Sequence, residues 1–489
     1  FIGGSTMLLK NQAFYLAASA LVLGAAGSAS ADVSISSDAT ANMSCANGVC
    51  QPTASDAVLN VGDLETLLAA GNVTVMTTGS GVQANNIDVT AKLGWSANAL
   101  TLDAYQSISV TAPVTVRGAS GLSILTNGGG SAGELAFFGK GHVTFKKLSA
   151  MLTINGVGYK LVESIATLAN AIKNKPSGDY ALASDYNAGK DGSYGSSPIA
   201  TAFAGSFEGL GNTVSHLKIV IPLERSGDLT GLFAQPSGTI SDIGVVGAKI
   251  TIIKFRRQKR IVTPVVGILA GNNGGTIAHS YSTGTISAPG DTEGGGLVGA
   301  NYGTIVESFS NAAVQVGVNL PLDFSAAGGL AGLNDAGHID RSYASGAVST
   351  WEFAGGLVGV SVAPIVNSYA TGPVSDGASG GLVGYNFADP GTITTCYSTG
   401  QVSGSESGGL IGEDQSPSGN LNDTYWDMDT SGVTDPDQGA GSPLNDPGIT
   451  GLSTAQLQSG LPAGFDPSIW GENAAINNGL PYLLANPPQ

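Results

Sequence analysis

Few stretches of this 489-residue chain place reactive side chains close together. The densest is Asp427-Met-Asp-Thr-Ser-Gly432, followed by Asp435 and Asp437. Alternating oxygen donors with Gly in sixth place resemble a calcium loop. Its twelfth place is Gln438, so the bidentate Glu is missing. Asp427 and Asp429 are therefore weak metal candidates, and a turn closed by Asx hydrogen bonds is the plainer reading. No metal and no cofactor is expected. The run Lys254-Phe-Arg-Arg-Gln-Lys-Arg260 holds five of the 19 Lys and Arg. Lys254, Arg256, Arg257, Lys259 and Arg260 would suit an anionic polysaccharide or lipid headgroup, although charge runs are usually solvated loops. In Cys45-Ala-Asn-Gly-Val-Cys50, Asn47-Gly48 suits a two-residue type I′ turn. Cys45 and Cys50 then face each other closely enough for a disulfide. Two thiols without a nearby His make a poor metal site.

Catalytic groupings are absent from any local stretch. Acidic residues of the second half stand singly, at Asp291, Glu293, Glu307, Asp323, Asp335, Asp340 and Glu352, and the chain has four His. A triad or a carboxylate pair would have to be assembled from separate parts of the chain, which the sequence leaves open.

The elements that must position these residues are repeats. Leu232, Leu269, Leu297, Leu330, Leu357, Leu382 and Leu410 share one pattern, at intervals of 37, 28, 33, 27, 25 and 28 residues. Its clearest copy is Gly295-Gly-Leu-Val-Gly-Ala-Asn-Tyr-Gly-Thr-Ile305. An Ile or Leu column follows at Ile240, Ile277, Ile305, Ile339, Ile365, Ile393 and Leu421. Each unit holds two or three short β-like stretches that cannot bury an apolar face alone, so the units must stack. Strand alternation points Ile243 and Val245 inward, with Ser280, Ser308, Ser342, Ser368 and Cys396 as equivalents of Ile243. The same alternation points Tyr281, Phe309, Tyr343, Tyr369, Tyr397 and Tyr425 outward. These rings form an aromatic ladder that either stiffens the sheet or offers an exposed stripe for a ligand such as a sugar. The glycine clusters recur in every unit without a following Lys-Ser/Thr and helix, so they are turns, not phosphate loops. Upstream, short alternating strands such as Leu100-Thr-Leu102 and Ile108-Ser-Val110 carry the same character. Val162–Ile172 has helical spacing and stops before Pro176.

Composition and ends narrow the function. Net charge is −17 with 11% charged residues, which argues against nucleic acid as a partner. Lys10, the uncharged run Ala13–Ala26 and Ala29-Ser-Ala31 follow the order of a secretory signal peptide, and no later segment is apolar enough for a membrane helix.

The Gly-Gly-Leu-Val-Gly and Gly-Thr-Ile repeats resemble the GLUG motif of bacterial adhesins. Leu100–Val110 is similar to filamentous-haemagglutinin repeats. The tail from Tyr425-Trp-Asp427 to Gly479-Leu-Pro-Tyr482 resembles the ends of GLUG proteins. This resemblance implies an all-β, right-handed parallel β-helix (β-solenoid) with one short packed helix near 162–174. The expected divisions are 1–31 signal peptide (1–6 an upstream remnant), 32–57 disulfide hairpin and N-terminal cap, and 58–160 haemagglutinin-like coils. They continue with 161–204 helix-containing insert, 205–439 GLUG-repeat solenoid and 440–489 C-terminal capping segment. The implied function is extracellular or surface binding, in adhesion or biofilm attachment, with a carbohydrate or surface protein as partner. The runner-up is a polysaccharide lyase or glycosidase, and a passive scaffold is the third reading.

Overall fold

The structure, a computed structural model, describes residues 32–130, 133–222, 229–253, 263–317, 324–387 and 391–488. The expected signal peptide, residues 1–31, and the basic run Lys254, Arg256, Arg257, Lys259 and Arg260 lie outside these residues.

The described residues form two stacks of β-coils. In the N-terminal stack, Val33–Ser36 lies between Ala57–Asn60 and Ile87–Val89, and the sheet continues through Ile108–Val110 to Leu135–Phe137. Val73–Met76, Ala99–Asp103, Gly121–Leu125 and Met151–Ile154 form a second parallel face. Leu93–Trp95, Pro113–Val116 and His142–Phe145 form a third. Along these strands buried and half-buried residues alternate, which puts Ile35, Val75, Leu102 and Val116 into one core. The Cys45–Cys50 hairpin joins the second face through Val49 and Cys50. Its central residues Asn47 (φ 53°) and Gly48 (φ 79°) both take the left-handed conformation that a type I′ turn requires.

Among the described residues there are two helices of ten residues, not one. Helix α2 (Ile165–Asn174) begins with a Ser164/Thr167 capping box and buries Ile165, Leu168, Ala171 and Ile172. Helix α1 (Val61–Ala70) falls where coils were expected. Asn60 caps it, accepting from the Gly62 and Asp63 N–H groups, and Leu64 and Leu68, four residues apart, are buried. It packs on Leu93–Trp95, the edge strand of the third face, and so covers backbone groups that a further coil would otherwise pair.

The chain then reverses. Met151–Ile154 pairs antiparallel with Val157–Val162 through Asn155 (φ 48°) and Gly156 (φ 80°). From there every rung of the repeat stack is parallel. Val157–Val162 pairs with Asp179–Leu182, which pairs with Ser206–Glu208. Residues 161–204 therefore supply a rung as well as α2. The column continues in register through Thr239–Ser241, Thr276–Ala278, Thr304–Val306 and His338–Asp340 to Ile393–Ser398 and Leu421–Asp427. Two further seven-stranded faces run beside it, one from Leu229–Thr230 to Glu406–Gly408 and one from Ala270–Asn273 to Ala440–Ser442. The seven repeat leucines, Leu232, Leu269, Leu297, Leu330, Leu357, Leu382 and Leu410, are at most 1% exposed, and Ile243, Val245, Ser280, Ser308, Ser342, Ser368 and Cys396 are all fully buried. Burial pushes the Cys396 thiol up to about 12, so it stays protonated and inert.

Two internal ladders tie the rungs. Asn273 donates to Asn301 (2.8 Å), Asn301 to Asn334 (2.9 Å) and Asn386 to Asp414 (2.8 Å), all buried. The Ser280, Ser308 and Ser342 hydroxyls each donate to the carbonyl two residues back. The Ser308, Ser342 and Ser368 hydroxyls each accept the N–H of the preceding rung. Between the last two faces the chain turns within two residues, Gly356-Leu357, from Phe353–Gly355 into Val358–Ser361.

Residues 440–489 were expected to cover the end of the solenoid. Ala440–Ser442 and Ile449–Leu452 instead form its last rung. The chain then leaves the end and runs back along the flank as a strap. In the last rung, burial, then a hydrogen bond to Asp414 and that group's charge, push the Asp446 carboxyl from 3.8 up to about 7. A carboxyl pKa raised by folding contributes stability that is present below the unfolded value and lost as pH rises through the folded one. Amide exchange over 440–452, corrected for intrinsic rate, is therefore expected to be faster at pH 8 than at pH 5. Asp446→Asn is expected to remove the difference, and an equal difference in that variant would refute the assignment.

Candidate functional site

The aromatic ladder exists, but its expected exposure is corrected. Tyr281, Phe309, Tyr343, Tyr369, Tyr397 and Tyr425 pair in register. The first five rings stack at centroid distances of 4.7 to 5.0 Å and within 9° of parallel. They point away from the solenoid interior, as alternation requires. Phe309, Tyr343, Tyr369, Tyr397 and Tyr425 are nevertheless at most 8% exposed. The strap covers them with Leu457, Phe465, Trp470, Leu480 and Leu483, because such a row of rings is too apolar to be left in water. Tyr397 donates to the Pro481 carbonyl (2.5 Å), Tyr425 to that of Ala463 (2.9 Å), and Asn486 reaches the Ser308 and Arg341 carbonyls (each 3.3 Å).

Asp427 and Asp429 are engaged in holding this strap. Asp427 accepts the Asp429 N–H (2.9 Å) and the Thr454 hydroxyl (2.7 Å), and Asp429 accepts the Thr454 N–H (2.9 Å). The Asx capping turn thus accounts for both carboxylates.

A different cluster assembles at the junction of the two stacks. Each rung has one residue in the left-handed region immediately before its inward-facing residue. These are Asp242 (φ 56°), His279 (45°), Glu307 (49°), Arg341 (44°), Asn367 (47°), Thr395 (50°) and Asp423 (51°). Asn and Asp tolerate this conformation, whereas His, Glu and Arg hold it at a cost of roughly 1–3 kcal/mol, a recurrent mark of functional positions. Stacking brings the side chains together. His279 Nε2 lies 2.7 Å from Glu307 Oε2 and 3.3 Å from Glu134 Oε2, and His279 Nδ1 lies 3.8 Å from Asp242 Oδ1. Arg341 holds Glu307 (2.5 Å) and Asp340 (2.7 Å). Glu134 comes from the N-terminal stack, just before Leu135–Phe137. A cavity of about 430 Å³ opens beside the cluster, lined by Asp242, His279, Glu307, Phe137 and the strap residues Asn486 and Pro487.

The electrostatics are acidic. Glu208 and Asp242 are both 5% exposed. Burial pushes Glu208 up to about 6 against bonds from the Leu210 N–H and the Ser241 hydroxyl. Burial, then the charge of Glu208, push Asp242 well above the usual carboxylate range. Burial opposes charge on His279, but its bonds to Glu134 and Glu307 and the charge of Asp242 outweigh that and carry it up to about 11. Burial opposes charge on Glu307 as well, and His279 and Arg341 overcome it, holding that carboxyl below its ordinary value.

Sequence reasoning left this convergence open and did not find it. The visible signal is a polar residue directly before each small inward residue, but Glu134 arrives through the packing of one stack against the other.

The two faces away from the strap carry a second aromatic group. Phe324 and Phe353 rings are 5.8 Å apart, Phe353 and Tyr385 4.8 Å, and Tyr385 and Phe387 5.2 Å. Phe324 is 42% exposed and Phe387 46%, and Trp351, two residues before Phe353, is 60% exposed.

Comparison with known proteins agrees with the repeat architecture. Residues 375–403 match the family model described as the GLUG motif. Over 165 residues, 32% of this chain, the sequence is 34% identical to Halomucin of Haloquadratum walsbyi, and the match spans 2% of that protein's length. Among solved structures the chain is similar to a candidate immunoglobulin A1 protease from Bacteroides ovatus, at 18% identity and a TM-score of 0.42. That match covers 67% of this chain and 93% of the other, and a likeness at this level carries no argument about function. Among the described residues no helix is long and apolar enough to cross a membrane.

Proposed function

We propose that this chain is an exported β-solenoid binding module that works at the cell surface or outside the cell in attachment, through the side of its repeat stack. The observation that carries the reading is the Phe324–Phe353–Tyr385–Phe387 row with Trp351 beside it. Phe353 shares its face with the small residues Ala326, Ala327, Ala354 and Ser379, and Tyr385 lies on the neighbouring face beside Val360 and Leu333. Tyr385 is buried and backs the row, and the exposed rings of Phe324, Phe387 and Trp351 suit the apolar faces of sugar rings or a partner's apolar side chains. The GLUG match and the resemblance to adhesin repeats support the same reading. The acidic composition leaves nucleic acid aside.

A glycan array probed with the purified chain tests it. Specific binding is expected, with about a tenfold loss or more when Trp351, Phe353 and Phe387 are changed together to Ser. Binding that survives this triple change, or a folded chain that retains no glycan and no surface protein, sinks the proposal.

A second reading, polysaccharide cleavage, is favoured by the convergence of Glu134, Glu208, Asp242 and Glu307 beside a cavity. Release of new reducing or unsaturated ends, lost in Glu307→Gln, would support it. Intact polymer after incubation with the chain rejects it.

A further inference from the structure

The junction cluster has the composition and geometry of a cation site. Glu134, His279 and Glu307 each offer one ligand atom, and these atoms lie within 4.8 Å of one another. They come from different coils of the two stacks, so an ion held by all three would bridge the stacks. The Nε2 of His279 faces both carboxylates, while Asp242 stands at the other ring nitrogen. A metal-ligating imidazole commonly donates its other ring N–H to a carboxylate; at 3.8 Å Asp242 faces that nitrogen without such a bond, so the contact would shorten when an ion binds. Asp242 Oδ1 is buried and has no hydrogen-bond partner among the described atoms. Arg341 holds Glu307 Oε1 and fixes that carboxylate, while Oε2 bonds His279 Nε2, so an ion would take the place of the proton between these two atoms. Charge points the same way. The carboxyl groups of Glu134, Glu208, Asp242, Glu307 and Asp340 surround one guanidinium and one imidazole. The adjoining cavity gives an ion a path in and room for water as a further ligand.

We propose that Glu134, His279 and Glu307 bind a divalent transition-metal ion that clamps the N-terminal stack to the repeat stack, with Asp242 as the residue that positions His279. One imidazole and two carboxylates suit Zn²⁺, Co²⁺ or Mn²⁺, and sulfur-preferring ions do not fit. The site is independent of the surface aromatics, so either proposal can fail alone.

The test uses the whole chain without a polyhistidine tag, stripped with chelator. Zn²⁺ is titrated by calorimetry, and Co²⁺ by its visible absorption. One ion per chain is expected, with a rise in melting temperature on adding Zn²⁺. Glu134 is half-exposed, so Glu134→Gln leaves the fold intact and is expected to weaken binding about tenfold or more. Asp242→Asn is expected to weaken it about 10- to 100-fold, the usual range for a residue that orients a ligand. In His279→Ala the Co²⁺ band and the thermal shift should vanish. Glu413→Gln, which is outside the cluster, should change nothing. The absence of saturable binding by the unaltered chain overturns the proposal. So does binding of equal strength in Glu134→Gln and His279→Ala.

Discussion

Trp470→Ala is expected to release the strap, residues 453–488, while the coils remain folded. Trp470 is 1% exposed and packs on Phe465 (centroids 4.5 Å), Tyr397 (5.9 Å) and Tyr369 (6.0 Å). Truncating a buried Trp costs about 3–5 kcal/mol. Few regular elements hold the strap. They are the Thr454–Leu457 turn of helix, the Asn477–Gly479 3-10 turn and the Trp470–Gly471 pairing with Tyr482–Leu483. Its stability therefore comes mainly from the rings it covers, and a loss of that size is enough to open it locally. The coils keep their own core, since Ile240, Leu297 and Ile339 belong to a separate buried cluster. Hydrogen exchange should show protection lost over 453–488 and kept over 265–427. Binding of an apolar dye should rise as the ladder is uncovered. If 265–427 loses protection to the same extent, strap and coils are one cooperative unit and the prediction is wrong.

Gly355→Ala is expected to destabilise the repeat stack by about 3 kcal/mol or more, well beyond a typical surface change. The reason is close approach. A Cβ on Gly355 would stand 1.8 Å from the Val358 carbonyl oxygen and 2.6 Å from the Gly384 N. Gly295, Gly328, Gly380 and Gly408 occupy the same corner and meet the same obstruction, at 1.7 to 1.9 Å. All these neighbours are backbone atoms fixed by the rungs on either side, so they cannot step away. Gly158 lies in a strand with nothing within 4 Å of its would-be Cβ. Gly158→Ala should therefore stay within about 0.5 kcal/mol. Chemical denaturation of both variants checks this, and similar midpoints would refute the close-approach account.

The repeats made the coil interior legible, because a residue and its equivalent one coil later occupy the same place. Ile243 and Val245 gave the inward direction, and the Ser and Ala of later copies followed it. The Tyr and Phe column pointed outward for the same reason. Its cover was hidden because Leu457, Phe465, Trp470, Leu480 and Leu483 have no periodicity and pair with nothing local. Helix α1 was masked by Gly62 in its first turn and by a short apolar pattern. The strand reversal was written as Asn155-Gly156 between Leu152-Thr-Ile154 and Val157, a strong hairpin signal. Without it, Glu134 could not be brought to His279, since that meeting depends on how two stacks abut and not on any spacing along the chain.

The path of the strap decides how the molecule answers tension. Its far end, at Asn486, returns to the stack junction, and its near end leaves the last rung at Leu452. Force applied beyond Pro488 and directed away from the ladder loads Asn486 first, then Leu483, then Trp470, so the strap peels contact by contact. The rungs are bonded in parallel along their full length and share a load at once. Peeling breaks one contact at a time and needs less force than shearing a sheet, so the strap would yield before any coil opened. Each ring uncovered lengthens the chain and dissipates work, and slackening lets the strap settle back. A protein built this way carries its own shock absorber.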